Sequence, residues 1–349
     1  MGRWASTCGH GRGVSGRMKT VTIAGAGIIG LACAWRLVQR GWRVMVFEAR
    51  GAAGESSWAG AGMLAPGGEI DSNNSLAKMA VRSLGMYPEF VRELEEESRV
   101  AVEYRRCGGI EVAMDDAGLE GLTQKAVRQA AIGIASERCR YRDWEARFYP
   151  DDAIVDPRTV NAALLKVCRQ RGIAIHEHEP VTAVLANGFG VRTAQGEYLS
   201  DRVLIAAGAW SSTLFPGLPR VFPVRGHLVR FDMEPGLLTT IVRSGHTYLL
   251  QRESGALIAG SSTEDAGFDR TLDAAIAGDI HQRAAELLPA LARIAPIEYW
   301  NGLRPATDTG PVLGQFGETA IWTAYGHFRN GILLAPDTAQ TIADRFETA

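Results

Sequence analysis

The chain has 349 residues, of which 46% are hydrophobic and 22% are charged, so it is long enough to fold as two globular domains. Its formal net charge of −2 gives no reason to expect nucleic acid as a partner. The five cysteines are an odd number without C-x-x-C spacing, which argues against a disulfide framework and favours a reducing cytoplasm.

The first 17 residues are basic and rich in glycine, and we expect them to form a disordered extension that ends before Met18. Basic residues followed by the apolar run from Val21 to Trp35 also resemble a secretory signal peptide. That run contains the glycines of a phosphate-binding motif, and it is too short and too glycine-rich to span a bilayer. We therefore interpret it as part of a nucleotide site and expect no membrane association.

A strand, a glycine turn, a helix and a second strand are predicted between Val21 and Glu48. Gly25, Gly27 and Gly30 fill the frame G-x-G-x-x-G, in which the glycines permit a tight turn, close approach of a pyrophosphate and close helix packing. Glu48 ends the second strand, where a carboxylate can accept hydrogen bonds from a ribose. The same motif places four neighbours in the predicted dinucleotide site: Ala26, Ile28, Ile29 and Ala49.

The segment 51–69 is small, polar and rich in glycine. Such a segment is either a flexible surface loop or backbone held close to a flat or phosphorylated ligand. Because it directly follows a nucleotide-binding strand, we favour the second interpretation. Beyond it, hydrophobic spacing predicts a helix over 75–105, a strand over 107–114 and a helix over 117–132.

The second half of the chain begins with a predicted amphipathic helix over 157–172. Strands are predicted at 173–177, 181–185, 190–193 and 203–208, and extended segments dominate 221–263. A helix over 272–289 precedes a final strand, loop and helix, the last of which begins near Gly331. Nucleotide-type segments thus occur at both ends and in the middle, which predicts a cofactor domain of 18–70, 150–215 and 300–349 and a substrate domain of 71–149 and 216–299.

Five motifs occur in a characteristic order: GAGIIG, SSWAGAGMLAP, VLIAAGAWSS, NGLRPAT and GHFRNGILLAP. Together they resemble the FAD-dependent D-amino-acid-oxidase superfamily over nearly all of 18–349. The resemblance implies a mixed α/β fold, in which a Rossmann-like FAD domain of the glutathione-reductase type is interleaved with an antiparallel-sheet substrate domain. It also implies a cytoplasmic homo-oligomer, with a tetramer among the states to test.

The resemblance implies oxidative deamination of glycine, sarcosine or small D-amino acids by O2, giving an imine and hydrogen peroxide. The imine of glycine would supply the thiazole ring of thiamin. A FAD-dependent dehydrogenase that passes electrons to a quinone or carrier protein is the alternative. An NAD-dependent dehydrogenase and a flavin-binding subunit without turnover are two further hypotheses.

Arg304 is the expected carboxylate anchor, because a planar guanidinium grips a carboxylate through two hydrogen bonds. A surface ion pair is the alternative role for this arginine. Tyr248 resembles the family tyrosine that touches the same carboxylate, although a strand tyrosine can also simply pack in a core. His246, two residues away, is expected to line the pocket from the same strand face, and Met63 to form its wall.

The remaining expected contacts concern the flavin. Arg329 and Asn330 precede the last helix, whose positive end would point at the flavin C2=O, and Arg329 is a second candidate for touching the substrate. The resemblance places the following residues at the cofactor: Ser56, Ser57, Ala59, Gly60, Ala61, Gly62, Met63, Val181, Ala207, Gly208, Trp210, His327, Gly331, Ile332 and Leu333. His176 and His178 form an H-x-H pair on a predicted strand, but we expect no metal site because no further ligands accompany them.

Overall fold

A computed structural model describes residues 18–71, 73–186 and 188–348 of the chain. The extension expected at 1–17 lies outside these residues. Eight α-helices occur in the described part: α1 (Ile28–Gln39), α2 (Ser56–Ala59), α3 (Pro66–Glu69), α4 (Ser75–Ser98), α5 (Asp116–Ala130), α6 (Pro157–Gln170), α7 (Ala274–Leu287) and α8 (Gly331–Thr348). None of them combines the length and apolar character that crossing a bilayer requires.

Twenty strands occur in the same described ranges. They are β1 (Thr20–Ala24), β2 (Arg43–Phe47), β3 (Met63–Leu64), β4 (Tyr104–Arg106), β5 (Gly109–Val112), β6 (Glu137–Tyr141), β7 (Trp144–Tyr149), β8 (Ala153–Val155), β9 (Ala174–His176), β10 (Ala183–Val184), β11 (Gly190–Thr193), β12 (Gly196–Leu199), β13 (Arg202–Ile205), β14 (Phe222–Asp232), β15 (Ile241–Ser244), β16 (Thr247–Gln251), β17 (Ala256–Gly260), β18 (Glu298–Ala306), β19 (Val312–Gln315) and β20 (Ile321–Tyr325).

Two large sheets organise the molecule. The first has the order β19-β20-β13-β1-β2-β9 and is parallel except for its edge strand β19. The second has the order β18-β14-β17-β16-β15-β5-β7-β6 and is antiparallel except where β15 runs parallel to β5. Two small antiparallel sheets, β10-β11-β12 and β3-β8-β4, complete the mixed α/β fold that the motifs imply.

Helices cover the parallel sheet because its strands are apolar on both faces. The helices α1, α4, α6 and α8 share one buried cluster with β1 and β2, in which Trp35, Tyr87 and Phe346 are fully enclosed. A second cluster lies between the antiparallel sheet and α7, whose buried side chains include Ile280 and Leu287. Each large sheet therefore has its own core.

Two segments pack against a different sheet from the one that the expected domain division assigns to them. Strand β18, most of which falls in the range 300–349, pairs with β14 in the antiparallel sheet rather than with the nucleotide-binding strands. Helix α4, expected in the substrate domain, packs on α8 and α6 beside the parallel sheet. The hydrophobic pattern of α4 identifies a buried face but not which sheet covers it. The remaining boundaries of the division stay predictions.

Several elements also differ from their predicted lengths. The helix expected over 75–105 ends at Ser98, because Arg99 adopts a left-handed conformation with a φ of 57° and the chain then forms β4. The β6–β7 hairpin was not predicted, since its strands carry many charged and exposed residues. Strand β10 covers only Ala183–Val184 of the predicted 181–185.

Candidate active site at the junction of two sheets

A cavity of about 310 Å³ opens at the carboxyl ends of β1, β2, β13 and β20, the edge where ligands of doubly wound sheets bind. We call it the outer cavity. It brings together most of the residues that the sequence assigned to the cofactor. Those that line it are Gly25, Gly27, Ile28, Ile29, Glu48, Ala49, Ser56, Ser57, Gly60, Val181, Ala207, Gly208, Trp210, His327, Arg329, Gly331 and Ile332. Arg304, which was expected at the substrate, also lines it.

Two glycines of the turn have the backbone and packing roles that their spacing predicts. Gly25 has a φ of 107°, and a Cβ on it would overlap the carbonyl oxygen of Ala206 at the end of β13. A Cβ on Gly30 would overlap the carbonyl of Gly25, so only glycine lets α1 pack this close to β1. Gly27 caps α1 without a side chain, and the first turn of the helix therefore presents backbone N–H groups towards the cavity.

Glu48 lies beside this turn and lines the same cavity. Its Oε2 accepts a hydrogen bond from the backbone N–H of Ala26 at 2.8 Å, and its Oε1 accepts one from Arg50 at 3.1 Å. These bonds fix the direction of the carboxylate and leave further lone pairs open to a diol. Ala26 itself does not line the cavity, so its part is to hold Glu48.

Helix α2 and the chain around it form the opposite wall. The hydroxyl of Ser57 accepts a hydrogen bond from Ile28 N at 2.9 Å, at the N-terminus of α1. The hydroxyl of Ser56 donates to the carbonyl of Leu303, which fastens α2 to β18. A Cβ on Gly302 of β18 would lie 2.7 Å from Cβ of Ala59, so this glycine permits the close approach of α2.

The last helix reaches the same cavity. Gly331 and Ile332 begin α8 and line the outer cavity, so the positive end of the helix dipole lies there. His327, just before the helix, is 3% exposed, and its Nε2 is 3.0 Å from Oγ1 of Thr338. Burial lowers the pKa of His327 to about 3, so its ring is neutral at physiological pH. Leu333 is buried beyond the cavity wall, where its carbonyl accepts a hydrogen bond from Ser83.

A second, smaller cavity of about 80 Å³ continues from the first, and we call it the inner cavity. Five residues line both: Ser56, Gly60, Arg304, Arg329 and Ile332. Six more predicted residues line only the inner one: Ala59, Ala61, Gly62, Met63, Tyr248 and Asn330. The inner cavity thus lies between the cofactor-type pocket and the antiparallel sheet.

Arg304 stands at the boundary between the two cavities. Its Nη1 donates to the carbonyl of Ser262 at 3.0 Å, and no carboxylate of the described residues lies within ion-pair distance of its guanidinium. Burial lowers the pKa of Arg304, and the nearby charge of Arg329 adds to this effect. An enclosed guanidinium without an acidic partner is prepared to receive an anion.

Tyr248 is the neighbour of this guanidinium and is 6% exposed. Burial raises the pKa of its hydroxyl, while the charges of Arg304 and Arg329 act in the opposite direction. A Cβ on Gly260, which pairs with Tyr248 in the adjacent strand, would overlap the tyrosine ring. The glycine therefore makes the recess in which the ring lies.

Arg329 differs from Arg304 because it is already paired. Its Nε lies 3.0 Å from Oε2 of Glu69, and its Nη2 donates to Oε1 at 3.1 Å, with both side chains 20% exposed. Glu69 lines the inner cavity but was not predicted to be in the site. Its only sequence signal is its position at the end of the glycine-rich segment.

Some predicted residues lie outside the cavities. His246 is exposed in the turn before β16 and lines neither cavity, so its expected place in the pocket is wrong. His176 ends β9 and stacks on Phe47, whereas His178 follows in a turn with a φ of 59°. The two histidines therefore do not share a strand face. Among the described residues no group of three or more His, Cys, Asp or Glu side chains is placed to hold a metal ion.

The residues of the outer cavity fit FAD. The N-terminus of α1 suits a pyrophosphate, Glu48 suits a ribose diol, and Val181 with Ile28 provides an apolar wall at the same end. At the other end, the start of α8 would lie against the flavin, where negative charge develops on reduction. The inner cavity then lies beside the reactive ring, with Arg304 positioned to orient an acid there.

Comparisons with known proteins identify the relatives of this chain. A model of the family DAO, described as FAD dependent oxidoreductase, matches residues 20–345. A glycine oxidase of Pseudomonas aeruginosa is 31% identical over 347 residues, which cover 93% of each chain. The bifunctional protein ThiO/ThiG of Synechocystis is 33% identical over 348 residues, which cover 93% of this chain but 51% of that one.

A solved structure gives the same result. The crystal structure of glycine oxidase from Geobacillus kaustophilus superposes with a TM-score of 0.90 at 28% identity, covering 95% of both chains. The family match spans nearly the whole described chain. The chain belongs to the DAO family of FAD-dependent oxidoreductases, and FAD is its cofactor.

Proposed function

We propose that this enzyme catalyses the oxidative deamination of glycine and of similarly small amines such as sarcosine and small D-amino acids. The products are an imine, which water converts to glyoxylate and ammonia in the case of glycine, and hydrogen peroxide from O2. The relatives named glycine oxidase support this assignment, since they align over 93% of the chain.

The observation that carries the proposal is the position of Arg304. Its guanidinium has no acidic partner among the described residues, and it borders both cavities. A substrate carboxylate held there by two hydrogen bonds, with the Tyr248 hydroxyl beside it, places the rest of a small molecule in the inner cavity. The volume of about 80 Å³ favours substrates with few heavy atoms.

The titratable groups of the inner cavity also favour this chemistry. Bound FAD supplies the acceptor for a hydride that leaves the Cα of an amino acid. Of the described acidic or basic groups that line the cavity, Glu69 is paired with Arg329, and burial raises the pKa of Tyr248. Neither is free to act as a general base. Binding of the substrate as a neutral amine, whose lone pair assists the departure of the hydride, removes the need for one.

We also propose that the imine of glycine is used for the thiazole of thiamin, in a cytoplasmic homo-oligomer. The match to the bifunctional protein ThiO/ThiG supports the proposed use of the imine in thiamin synthesis. This chain aligns with 51% of that protein, in which a segment similar to this chain is joined to a second segment. Measurement of the molar mass by light scattering tests the oligomer, and a monomer at working concentration would contradict it.

Turnover in air tests the proposed function. The FAD-loaded protein is mixed with glycine, sarcosine, D-alanine, D-proline or D-aspartate, and release of hydrogen peroxide is recorded. We expect the highest kcat/KM for glycine or sarcosine. If the flavin is reduced by glycine without air but no peroxide forms in air, the enzyme is a dehydrogenase that serves a quinone or carrier. If no compound reduces the flavin, the proposal is wrong.

A further inference from the structure

The inner cavity contains three charged side chains among its described lining residues: Glu69, Arg304 and Arg329. Two guanidinium groups and one carboxylate give the cavity a net charge of +1. These charges act on one another, since both arginines and Glu69 affect the hydroxyl of Tyr248, and Arg329 and Glu69 both affect Arg304. The cavity therefore has one positive charge to offer to a ligand.

The carboxylate of Glu69 is held rigidly in this arrangement. It ends the short helix α3, which hydrogen bonds from α5 hold in place. Gln129 donates to the carbonyl of Gly67 in α3 at 2.8 Å and to that of Ile70, directly after the helix, at 2.6 Å. Lys125 also donates to the carbonyl of Gly68, at 3.1 Å. Because these hydrogen bonds from α5 hold α3 in position, the two carboxylate oxygens of Glu69 stay in contact with Nε and Nη2 of Arg329.

We propose that Glu69 determines substrate specificity by neutralising Arg329, which restricts the site to amino acids with a single carboxylate. The inference rests on the proposed function, because it concerns the substrate of the same site. Arg304 takes the carboxylate that every amino acid carries, and Arg329 is the group that a side-chain carboxylate would otherwise reach.

The physical reason is both steric and electrostatic. The edge of Arg329 that suits a carboxylate is already occupied by Glu69. A second substrate carboxylate would approach Glu69 itself, and two like charges in a partly enclosed site repel each other strongly. Replacing Glu69 by glutamine keeps the shape of the side chain, removes one negative charge and raises the charge of the cavity from +1 to +2.

The test compares D-aspartate with D-alanine, which differ by one side-chain carboxylate. The ratio of kcat/KM for D-aspartate to that for D-alanine is measured in the wild type and in Glu69→Gln. We expect the ratio to rise about tenfold or more, because hydrogen bonds to charged groups are worth more than a factor of ten. In the double variant Glu69→Gln with Arg329→Gln, we expect the ratio to return to about its wild-type value.

Two further variants serve as controls. Glu69→Asp retains the charge and should keep the wild-type ratio. Glu93→Gln breaks a partly buried ion pair with Arg36, far from the cavities, and should also leave the ratio unchanged. An unchanged ratio in Glu69→Gln, or an equal loss of kcat/KM for both substrates because Glu69 binds the substrate ammonium, would overturn the inference.

Binding of unreactive acids separates this inference from the proposed function. Dissociation constants of acetate and malonate, which differ by one carboxylate, are measured from the absorbance change of the bound flavin. Tighter malonate binding in Glu69→Gln, with unchanged acetate binding, supports the role of Glu69 even if no amino acid is oxidised. Parallel changes for the two acids contradict that role whether or not the enzyme proves to be an oxidase.

Discussion

Gly226 of β14 lies directly against the guanidinium of Arg304 on the neighbouring strand β18. The two segments pair in register, with Gly226 opposite Gly302 and Val224 opposite Arg304. A Cβ on Gly226 would overlap Nη1, Nη2 and Cζ of the arginine. The absence of a side chain at Gly226 therefore leaves the space that the guanidinium of Arg304, the proposed carboxylate anchor, occupies.

Replacing Gly226 by alanine should displace that guanidinium. Because a shift of about 1 Å in a positioning group can reduce activity about 100-fold, we expect kcat/KM for glycine to fall by about that factor. The FAD content should stay near that of the wild type. Gly278→Ala is the matched control, since nothing lies within 4 Å of a Cβ there and the residue is in the middle of α7. This control should keep full activity and become slightly more stable.

Replacing Arg304 by alanine removes the proposed carboxylate anchor. We expect a loss of about 2–5 kcal/mol of transition-state stabilisation, mainly as a higher KM for glycine, with FAD still bound. Arg304→Lys should recover only part of this loss, because an ammonium group does not reproduce two parallel hydrogen bonds. Steady-state kinetics over a wide range of glycine concentrations measures kcat and KM for both variants. Wild-type kinetics in Arg304→Ala would refute the assignment of the anchor.

Replacing Glu48 by alanine should weaken FAD binding. The variant loses the bonds from Ala26 and Arg50 as well as the expected contact with the ribose, so we expect affinity for FAD to fall about tenfold or more. Fluorescence titration of the apoprotein with FAD gives the dissociation constant. Glu177→Ala is the control, because Glu177 also accepts a backbone hydrogen bond nearby, from Ala52, but does not line the outer cavity. Equal effects in the two variants would contradict the role of Glu48.

His327 should make the folded state sensitive to acid. Its pKa is about 3 in the folded protein and about 6.5 in an unfolded chain, so between about pH 6.5 and pH 3 only the unfolded chain takes up this proton. The free energy of unfolding therefore falls as the pH falls, by about 1.4 kcal/mol between pH 7.5 and 5.5 from this group alone.

Denaturant unfolding of the wild type and of His327→Gln at pH 7.5 and pH 5.5 tests whether His327 lowers the free energy of unfolding at the lower pH. The variant should be less stable at pH 7.5, because it changes a buried ring that contacts Thr338. The difference in the free energy of unfolding between the two proteins should narrow by about 1.4 kcal/mol at pH 5.5. A difference that stays constant or widens at low pH would show that the ring is not held neutral.

Local patterns predicted most of the residues that line the outer cavity. Gly25, Gly27, Gly30 and Glu48 lie within one strand–helix–strand unit, so their spacing along the chain determines their spacing in the structure. The strand and helix around Gly331 could be recognised for the same reason. Expected contacts with the flavin at these positions stay predictions, although the residues line the cavities.

The substrate side depends on contacts between distant segments. Gly226 meets Arg304, and Gly260 meets Tyr248, only because β14, β17, β16 and β18 pair in one particular register. A strand pattern in a single sequence does not specify that register. The same limit explains the wrong prediction for His246. Its spacing of two residues from Tyr248 fits one face of a strand, but β16 begins only at Thr247, so His246 lies outside the strand. Glu69 was missed because its partner Arg329 lies 260 positions away.

The most direct measurement is reduction of the bound flavin by glycine without air. The FAD-loaded enzyme is mixed anaerobically with glycine, the flavin absorbance is followed, and the glyoxylate formed is determined. We predict full bleaching with one glyoxylate for each flavin, and a much slower reduction of the flavin at the same glycine concentration in Arg304→Ala. An oxidised flavin that persists at saturating glycine, or equal rates of bleaching in both proteins, would contradict the central claim that Arg304 presents a small amino acid to FAD.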